Sequence, residues 1–458
     1  MWNKICAEVF SQIVEKLKKQ QIKYFILRNY EGLPDTNHAK DVDIVVEPRD
    51  FEKAKKILQA AYTDYGLVYY YQADFHKLHC FHGISLENKT GIHIDLLEGY
   101  SAKGYEVFTF EELYQHTKDY KGMRVLEEDF DALMILVYKL FGYKTPVLKE
   151  KYREKLYDTC SRQKQEFLEQ LEIITDKDFA VLLVDKILQQ DFAFVIRMSG
   201  GLTRRLKRYV KKKRPVKTLM NVAAFGWGKA GRILFSYKKY ARVIGVAAPD
   251  GAGKTTFINR MQQQINYYYV NDPEDKRCDL RHFRPTVFPN LGAVGEKVGM
   301  MEQDRDWRNP HRNQPANRIS SFFRMAYYMA DYIVGWQKVI RKNVQYDRFT
   351  IFDRYSYDFI VDPRRSKINL PKGWRKFLVS LTPKPQIMFL LQTKPETIYE
   401  RKQELCLEEI RRQCREYEEL AKKDRRFIVI DASKEPERMA EEAVYFILEK
   451  FTIKTINV

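Results

Sequence analysis

The sequence predicts an α/β protein of two or more domains, whose C-terminal half is built on a parallel β-sheet. At 458 residues the chain exceeds the roughly 250 residues at which a single core stops growing and splits. From residue 243 onward, apolar runs of strand length at 243–247, 280–283, 350–352, 386–391 and 427–430 alternate with helical spacing, from Lys254 and over 318–344. Strands separated by helices pair in parallel through right-handed crossovers. The first 100 residues also mix the two periods, with helices near 9–19 and 50–61 and strands at 24–27, 42–46 and 92–97. Residues 108–196 show helical spacing with few breakers, as at 131–140 and 179–190, and predict a helical extension of that smaller α+β domain.

Composition narrows the class. Hydrophobic residues at 45%, with 30 Tyr and 28 Phe, supply packed cores despite 31% charge. Cys6, Cys80, Cys160, Cys278, Cys406 and Cys414 are scattered without C-x-x-C or Cys/His spacing, which argues against a disulfide framework or a zinc site. The N-terminus carries acids and bases throughout, unlike a signal peptide, and no run approaches the roughly 20 apolar residues of a membrane span. A cytoplasmic location follows as the expectation, peripheral association with the inner membrane face remaining open. The formal charge of +19 is local: between Ala193 and Pro249 there are fifteen Lys or Arg and no Asp or Glu. With Gly200-Gly201 as a break, the expected organisation is a domain at 1–196, a basic connector at 197–242 and a second domain at 243–458.

The chemistry is densest at the start of the second domain. An apolar run ending at Ala247-Ala248-Pro249 leads into Asp250-Gly251-Ala252-Gly253-Lys254-Thr255-Thr256 and then a helix, the context a phosphate-binding P-loop requires. Gly251 and Gly253 let backbone N–H groups converge on phosphate oxygens. The helix start adds positive potential, Lys254 is expected on the β- and γ-phosphates of ATP, and Thr255 on Mg²⁺. Ala248 stands where the motif usually has its first glycine. A second strand ends in Asp353-Arg354-Tyr355, placing an acid that can hold Mg²⁺, and a base that can bind a second phosphate, at the carboxyl edge of the sheet.

These motifs resemble the thymidylate kinase family over about residues 243–450, with Asp431-Ala432-Ser433 matching a further segment. The resemblance implies that Arg354 binds the acceptor's phosphate, that Asp431 and Ala432 lie near the ATP base, and that Arg401 belongs to a mobile lid. More narrowly, His282-Phe283-Arg284-Pro285, Tyr327-Tyr328, Asp331-Tyr332, Asp362-Pro363-Arg364-Arg365 and Arg401-Lys402-Gln403-Glu404 resemble the thymidylate-kinase-like proteins encoded with bacterial polysaccharide and capsule genes. The broad resemblance implies a nucleoside monophosphate acceptor such as dTMP; the narrow one implies a sugar, polyol or glycan phosphate. His282, Arg284, Arg364 and Arg365 are second-tier candidates for an anionic acceptor, with strand-end packing an equal reading for His282. The aromatic stretch 327–336 has the spacing of a buried helix face and reads as core.

In the first domain, Asp41 and Asp43 bracket one residue at the start of an apolar strand, so alternation puts them on one side. Asp95 sits inside another apolar strand, where an acid is costly unless paired or bound to metal. Three carboxylates on neighbouring strands suit Mg²⁺ and a triphosphate. The pattern resembles the nucleotidyltransferase superfamily, although Arg28-Asn29-Tyr30-Glu31 occupies the place of that family's Gly-Ser turn. A functional transferase site and a retained scaffold are both open.

The basic connector has two readings. Val216, Leu219, Met220, Ala223, Trp227 and Leu234 recur near helical spacing beside Lys217, Lys229 and Arg232, as in an interfacial helix on an acidic membrane or a lipid-linked glycan; a solvated linker is the other reading. Nucleic acid is disfavoured, since the segment lacks a reader fold and interleaved stacking aromatics. The expected activity is phosphoryl transfer from ATP and Mg²⁺ to a phosphorylated acceptor. An ATP-binding scaffold or nucleotidyltransferase component of a polysaccharide machine is the alternative, and a homodimer is left open.

Overall fold

A computed structural model describes residues 2–37, 39, 41–75, 77–142, 146–234, 241–270, 277–289, 317–346 and 348–451. The chain forms two compact units, one of Met1–Gly231 with Tyr269–Asn271 and Thr452–Val458, the other of Arg232–Tyr268 with Asp272–Phe451.

The first unit holds a seven-stranded mixed sheet in the order β3-β4-β5-β2-β1-β7-β6. Its strands are β1 (Tyr24–Ile26), β2 (Val42–Val46), β3 (Val68–Phe75), β4 (Leu78–Ser85), β5 (Thr90–Glu98), β6 (Thr117–Tyr120) and β7 (Met123–Leu126). One face, carrying Ile26, Ile44 and Ile94, packs on the helices Lys4–Lys19 and Phe51–Asp64 through Phe10, Ile13, Ile57 and Tyr62. The other, carrying Phe25, Val45 and Leu97, is covered by a helical layer that includes Glu128–Leu140, Glu150–Arg162 and Lys177–Leu188. The stretch expected to be helical from 108 opens with a short helix, Phe110–Tyr114, and is then interrupted by the hairpin of β6 and β7. Lys121 and Gly122 both take positive φ, 50° and 76°, which is the backbone of a two-residue hairpin turn. Its outer strand is an edge of polar residues that no apolar alternation marks.

The charged segment is helical. Ser199–Lys213 buries Leu202, Leu206 and Val210 in the same core as Phe179 and Leu183, and Pro215–Leu234 follows it.

The second unit holds the parallel sheet β12-β11-β8-β10-β9, made of β8 (Val243–Ala247), β9 (Cys278–His282), β10 (Phe349–Asp353), β11 (Ile387–Gln392) and β12 (Phe427–Asp431). All four of its strand pairings are parallel, so every strand ends at one edge. Central β8 is buried throughout. Gly245 lies opposite Met388 in register, and a Cβ there would meet Met388 Sδ at 2.1 Å, so the strand is glycine where a neighbouring side chain crosses it. The helix Lys254–Val270 packs on the sheet through Phe257, Met261 and Ile265, with Phe257 edge-on to Phe389 at 5.8 Å. The long helix expected over 318–344 is present, Arg318–Gly335 passing through a π turn, Trp336–Ile340, into Arg341–Gln345. Of the aromatic stretch 327–336 read as core, Tyr332 is buried and Tyr328 and Trp336 are partly buried against the core, whereas Tyr327 is half-buried outside it.

Candidate active site

Parallel pairing brings the two motifs of the second unit together. Asp353 is in register with Val246, so the end of β10 lies beside the strand that launches the loop, and the Arg354 N–H donates to Val246 O at 2.9 Å. Between β8 and its helix the backbone turns left-handed at Gly251 (φ 91°) and Gly253 (φ 87°) but not at Ala248, which explains why alanine suffices there. A Cβ on Gly253 would meet nothing within 4 Å, so open space lies above that peptide. One on Gly251 would meet Ile398 O at 3.0 Å and Lys402 Cβ at 3.1 Å, which seats the segment carrying Arg401 against the loop. Arg401 itself is exposed at the end of the helix Pro395–Arg401. Ala252 and Ala432 are buried, whereas Thr255, Thr256 and Asp431 are exposed. Asp431 accepts from Ser433 N at 2.9 Å, closing the turn after β12 at the same sheet edge.

Asp250 is the electrostatic hub. Its carboxylate accepts from Arg354 and from Arg365, and Lys254 Nζ lies 3.5 Å away. Burial would raise its pKa, but Arg354, Lys254 and Arg365 outweigh that and hold it far below the usual carboxylate range. Arg354 also donates to buried Asp358 at 2.6 Å, and Asp358 accepts from Tyr417 at 2.9 Å. Burial works against the Arg354 charge, yet Asp358 and Asp250 keep it firmly protonated. Its φ of 74° is strained for a non-glycine residue, and the ion pairs on both sides fix it there. Lys254 donates to Ala248 O at 2.9 Å and Pro249 O at 3.0 Å; burial and the nearby Arg354 bring its pKa down to about 8.

Asp353 Oδ2 is 3.1 Å from His282 Nδ1, while its Oδ1 is buried with no hydrogen-bond partner among the described residues. Burial opposes its charge, but the His282 contact and Lys254 hold its pKa below the ordinary value. A buried carboxylate oxygen with unused acceptor capacity, an exposed Thr255 hydroxyl and a glycine cradle open on one side fit a metal-bound polyphosphate.

Arg365, a second-tier candidate, is placed on Asp250, and Asp358, whose i,i+4 spacing from Arg354 was the available signal, joins the same network. Arg284, by contrast, is corrected. It is 4% exposed and paired at 2.9 Å with fully buried Asp331, which also accepts from the backbone of Thr286, Val287 and Phe288, so it anchors a loop instead of facing an acceptor. Tyr355 likewise is core, fully buried and bonded to Pro383 O at 2.6 Å.

The family model for thymidylate kinase matches residues 309–443. A probable thymidylate kinase of Methanosarcina barkeri is 28% identical over 228 residues, which cover 45% of this chain and 96% of that protein. The C-terminal part of the chain is a thymidylate-kinase-like domain. The crystal structure of thymidylate kinase from Ehrlichia chaffeensis is also similar, at 17% identity and a TM-score of 0.30, spanning 46% of this chain and 98% of that one. The match to the family model takes in Asp353, Arg354, Arg401 and Asp431 of the thymidylate-kinase-like domain, and the loop at 250–256 lies upstream of it.

In the first unit the carboxylates also converge. Oxygens of Asp41, Asp43 and Asp95 lie within 4.8 Å of one another, on the sheet face that Val45 and Leu97 share with the helical layer. Asp43 is in register with Asp95 and ion-paired with Arg28 at 2.9 Å. Burial, with the neighbouring Asp41 and Asp95, outweighs Arg28 and pushes the Asp43 carboxyl up to about 7. The helix Glu128–Leu140 places Lys139 nearby, its pKa brought down to about 8 by burial and by Arg28. Asp95 is shared with a second group, Cys80 and His93, whose ligand atoms fall within the same 4.8 Å limit.

Proposed function

We propose that the thymidylate-kinase-like domain transfers the γ-phosphoryl group of ATP to a phosphorylated acceptor. The observation that carries this reading is the register of β8 and β10, which sets the glycine loop and Lys254 beside Asp353 and Arg354 at one sheet edge. Backbone N–H groups of the loop and Lys254 bind the donor phosphates, Thr255 and Asp353 hold the metal, and Asp431-Ala432 borders the base. Mg²⁺, when bound, supplies charge neutralisation between donor phosphate oxygens. Arg354 is 3% exposed and paired with Asp250 and Asp358, and Arg365 also meets Asp250, so the acceptor's anionic group takes the place of the Asp250 carboxylate on these two guanidiniums, with Arg401 approaching from the segment against Gly251. A nucleoside monophosphate such as dTMP is the first acceptor to test, and a sugar, polyol or glycan phosphate of surface-polysaccharide synthesis the second. Incubation with labelled ATP, Mg²⁺ and a panel of both classes is expected to label one class. If none is labelled while ATP still binds, the protein is an ATP-binding scaffold instead.

Alanine at Gly251 is expected to weaken ATP about tenfold. It places a side chain in a left-handed conformation costing about 1–3 kcal/mol and against Ile398 O, and ATP titration of the variant measures the loss.

A second reading concerns the first unit. Convergence of Asp41, Asp43 and Asp95 on one face supports a nucleotidyltransferase-like cation and nucleotide site, with Arg28 standing where a Gly-Ser turn would be and supplying a fixed positive charge. Calorimetric titration with Mn²⁺ tests it. Asp43→Ala is expected to abolish a binding event that the parent protein shows, and equal binding by both would leave a scaffold. We further place a second domain at 243–458 and extend the first beyond 196 through the helix Ser199–Lys213, whose Leu202, Leu206 and Val210 pack in its core; limited proteolysis is expected to spare that helix and to cut between it and residue 243.

A further inference from the structure

We propose that the helix Pro215–Leu234 docks on an anionic lipid bilayer, its apolar stripe entering the interface while neighbouring cations meet the lipid phosphates. Val216, Leu219, Met220 and Trp227 are 69%, 73%, 66% and 78% exposed, and they recur at i, i+3, i+4 and i+11 on one helical face with exposed Ala223 between them. Large apolar side chains are normally scattered singly over a surface, so an ordered stripe of them calls for an occupant.

The helix is held so that this stripe faces outward. On its opposite side Thr218 is 4% exposed and donates to Arg214 O at 2.6 Å, and Lys217 pairs with Glu106 at 2.7 Å. Gly104 approaches so closely that a Cβ there would meet Asn221 O and Val222 Cα at 2.7 Å. A helix seated by a backbone-to-backbone approach presents a defined outer face.

Charge selects the occupant. In the preceding helix, Ser199–Lys213, two cations are spent on the unit's own acids, Arg205 on Asp176 and Lys213 on Glu112. Arg204, Arg208, Lys211 and Lys212 are exposed and make no ion pair among the described residues. Lys211 and Leu219 line the same cavity of about 320 Å³, so the cationic and apolar surfaces adjoin. A second copy would bring the same uncompensated cations face to face and be repelled, whereas an anionic bilayer satisfies both surfaces at once. Among the described residues no helix is long and apolar enough to cross a membrane, so this one lies on the surface.

The full chain is tested by co-sedimentation with vesicles of phosphatidylcholine alone and of phosphatidylcholine with phosphatidylglycerol. Pelleting with the anionic vesicles only, weakened at high salt, and reduced at least about tenfold by Leu219→Asp with Trp227→Asp, is the expected result. Thermal unfolding and far-ultraviolet circular dichroism of that variant, matched to the parent, check that the first unit carrying this helix has folded. No pelleting overturns the proposal, and so does pelleting that the double variant retains in full. A sedimentation-velocity shift that the double variant abolishes, without vesicle binding, assigns the face to a second copy and equally overturns it.

Discussion

Methionine at Lys254 is expected to lower phosphoryl transfer by about three orders of magnitude, the scale of losing one preorganised charge from a phosphoryl-transfer site. The side chain is buried at the N-terminus of its helix, and its ammonium is held by Ala248 O and Pro249 O at 2.9 and 3.0 Å. Carbonyl oxygens make only modest hydrogen bonds, so the ammonium leaves them for phosphate at little cost. Methionine keeps the volume and removes the charge. Asp250 retains Arg354 and Arg365, so the loop keeps its anchor and the melting temperature shifts by only a few degrees, about 1 kcal/mol of lost hydrogen bonding at ~2–4 °C each. Single-turnover transfer and ATP affinity, measured together, decide the matter. Transfer within about tenfold of the parent would remove Lys254 from the donor phosphates.

The sequence carried the C-terminal sheet and the loop plainly, because both are local signals. A parallel strand buried on two faces reads as a continuous apolar run, and Gly251, Gly253 and Lys254 are fixed by the geometry of one turn. Asp353 and Arg354 were legible for the same reason, as charges that interrupt an apolar strand at its end. Arg365 was legible only as a second-tier cation, because its contact with Asp250 spans 115 positions and nothing near it in sequence marks the convergence. Arg284 misled for the complementary reason: a cation after a strand looks available until Asp331, 47 residues away, is seen to bury it. In the first unit Asp41, Asp43 and Asp95 were visible as acids in apolar surroundings, but the pairing of Arg28 with Asp43 depends on how β1 and β2 lie side by side. The hairpin at β6 and β7 was missed because its outer edge is polar and its turn, Lys121-Gly122, is short.

Alanine at Arg354 is expected to abolish acceptor use and to destabilise the second unit, whereas glycine at the same position abolishes acceptor use with the smaller loss of stability. Removing the guanidinium leaves Asp358 buried with Tyr417 as its remaining side-chain donor among the described residues, and breaking one side of a buried pair costs about 3–5 kcal/mol, a fall in melting temperature of ~10 °C. Alanine must also adopt the φ of 74° that Arg354 holds only because ions on both sides fix it, while glycine takes that conformation freely and recovers about 1 kcal/mol. Lysine preserves one charge but has no fork to span Asp250 and Asp358 together, so it is expected to restore part of the stability and little of the transfer. Thermal unfolding of the three variants separates the structural role from the catalytic one. If Arg354 only holds the fold, transfer returns with stability in the order lysine, glycine, alanine; if it orients the acceptor, the KM for the acceptor rises in all three while ATP affinity stays near that of the parent.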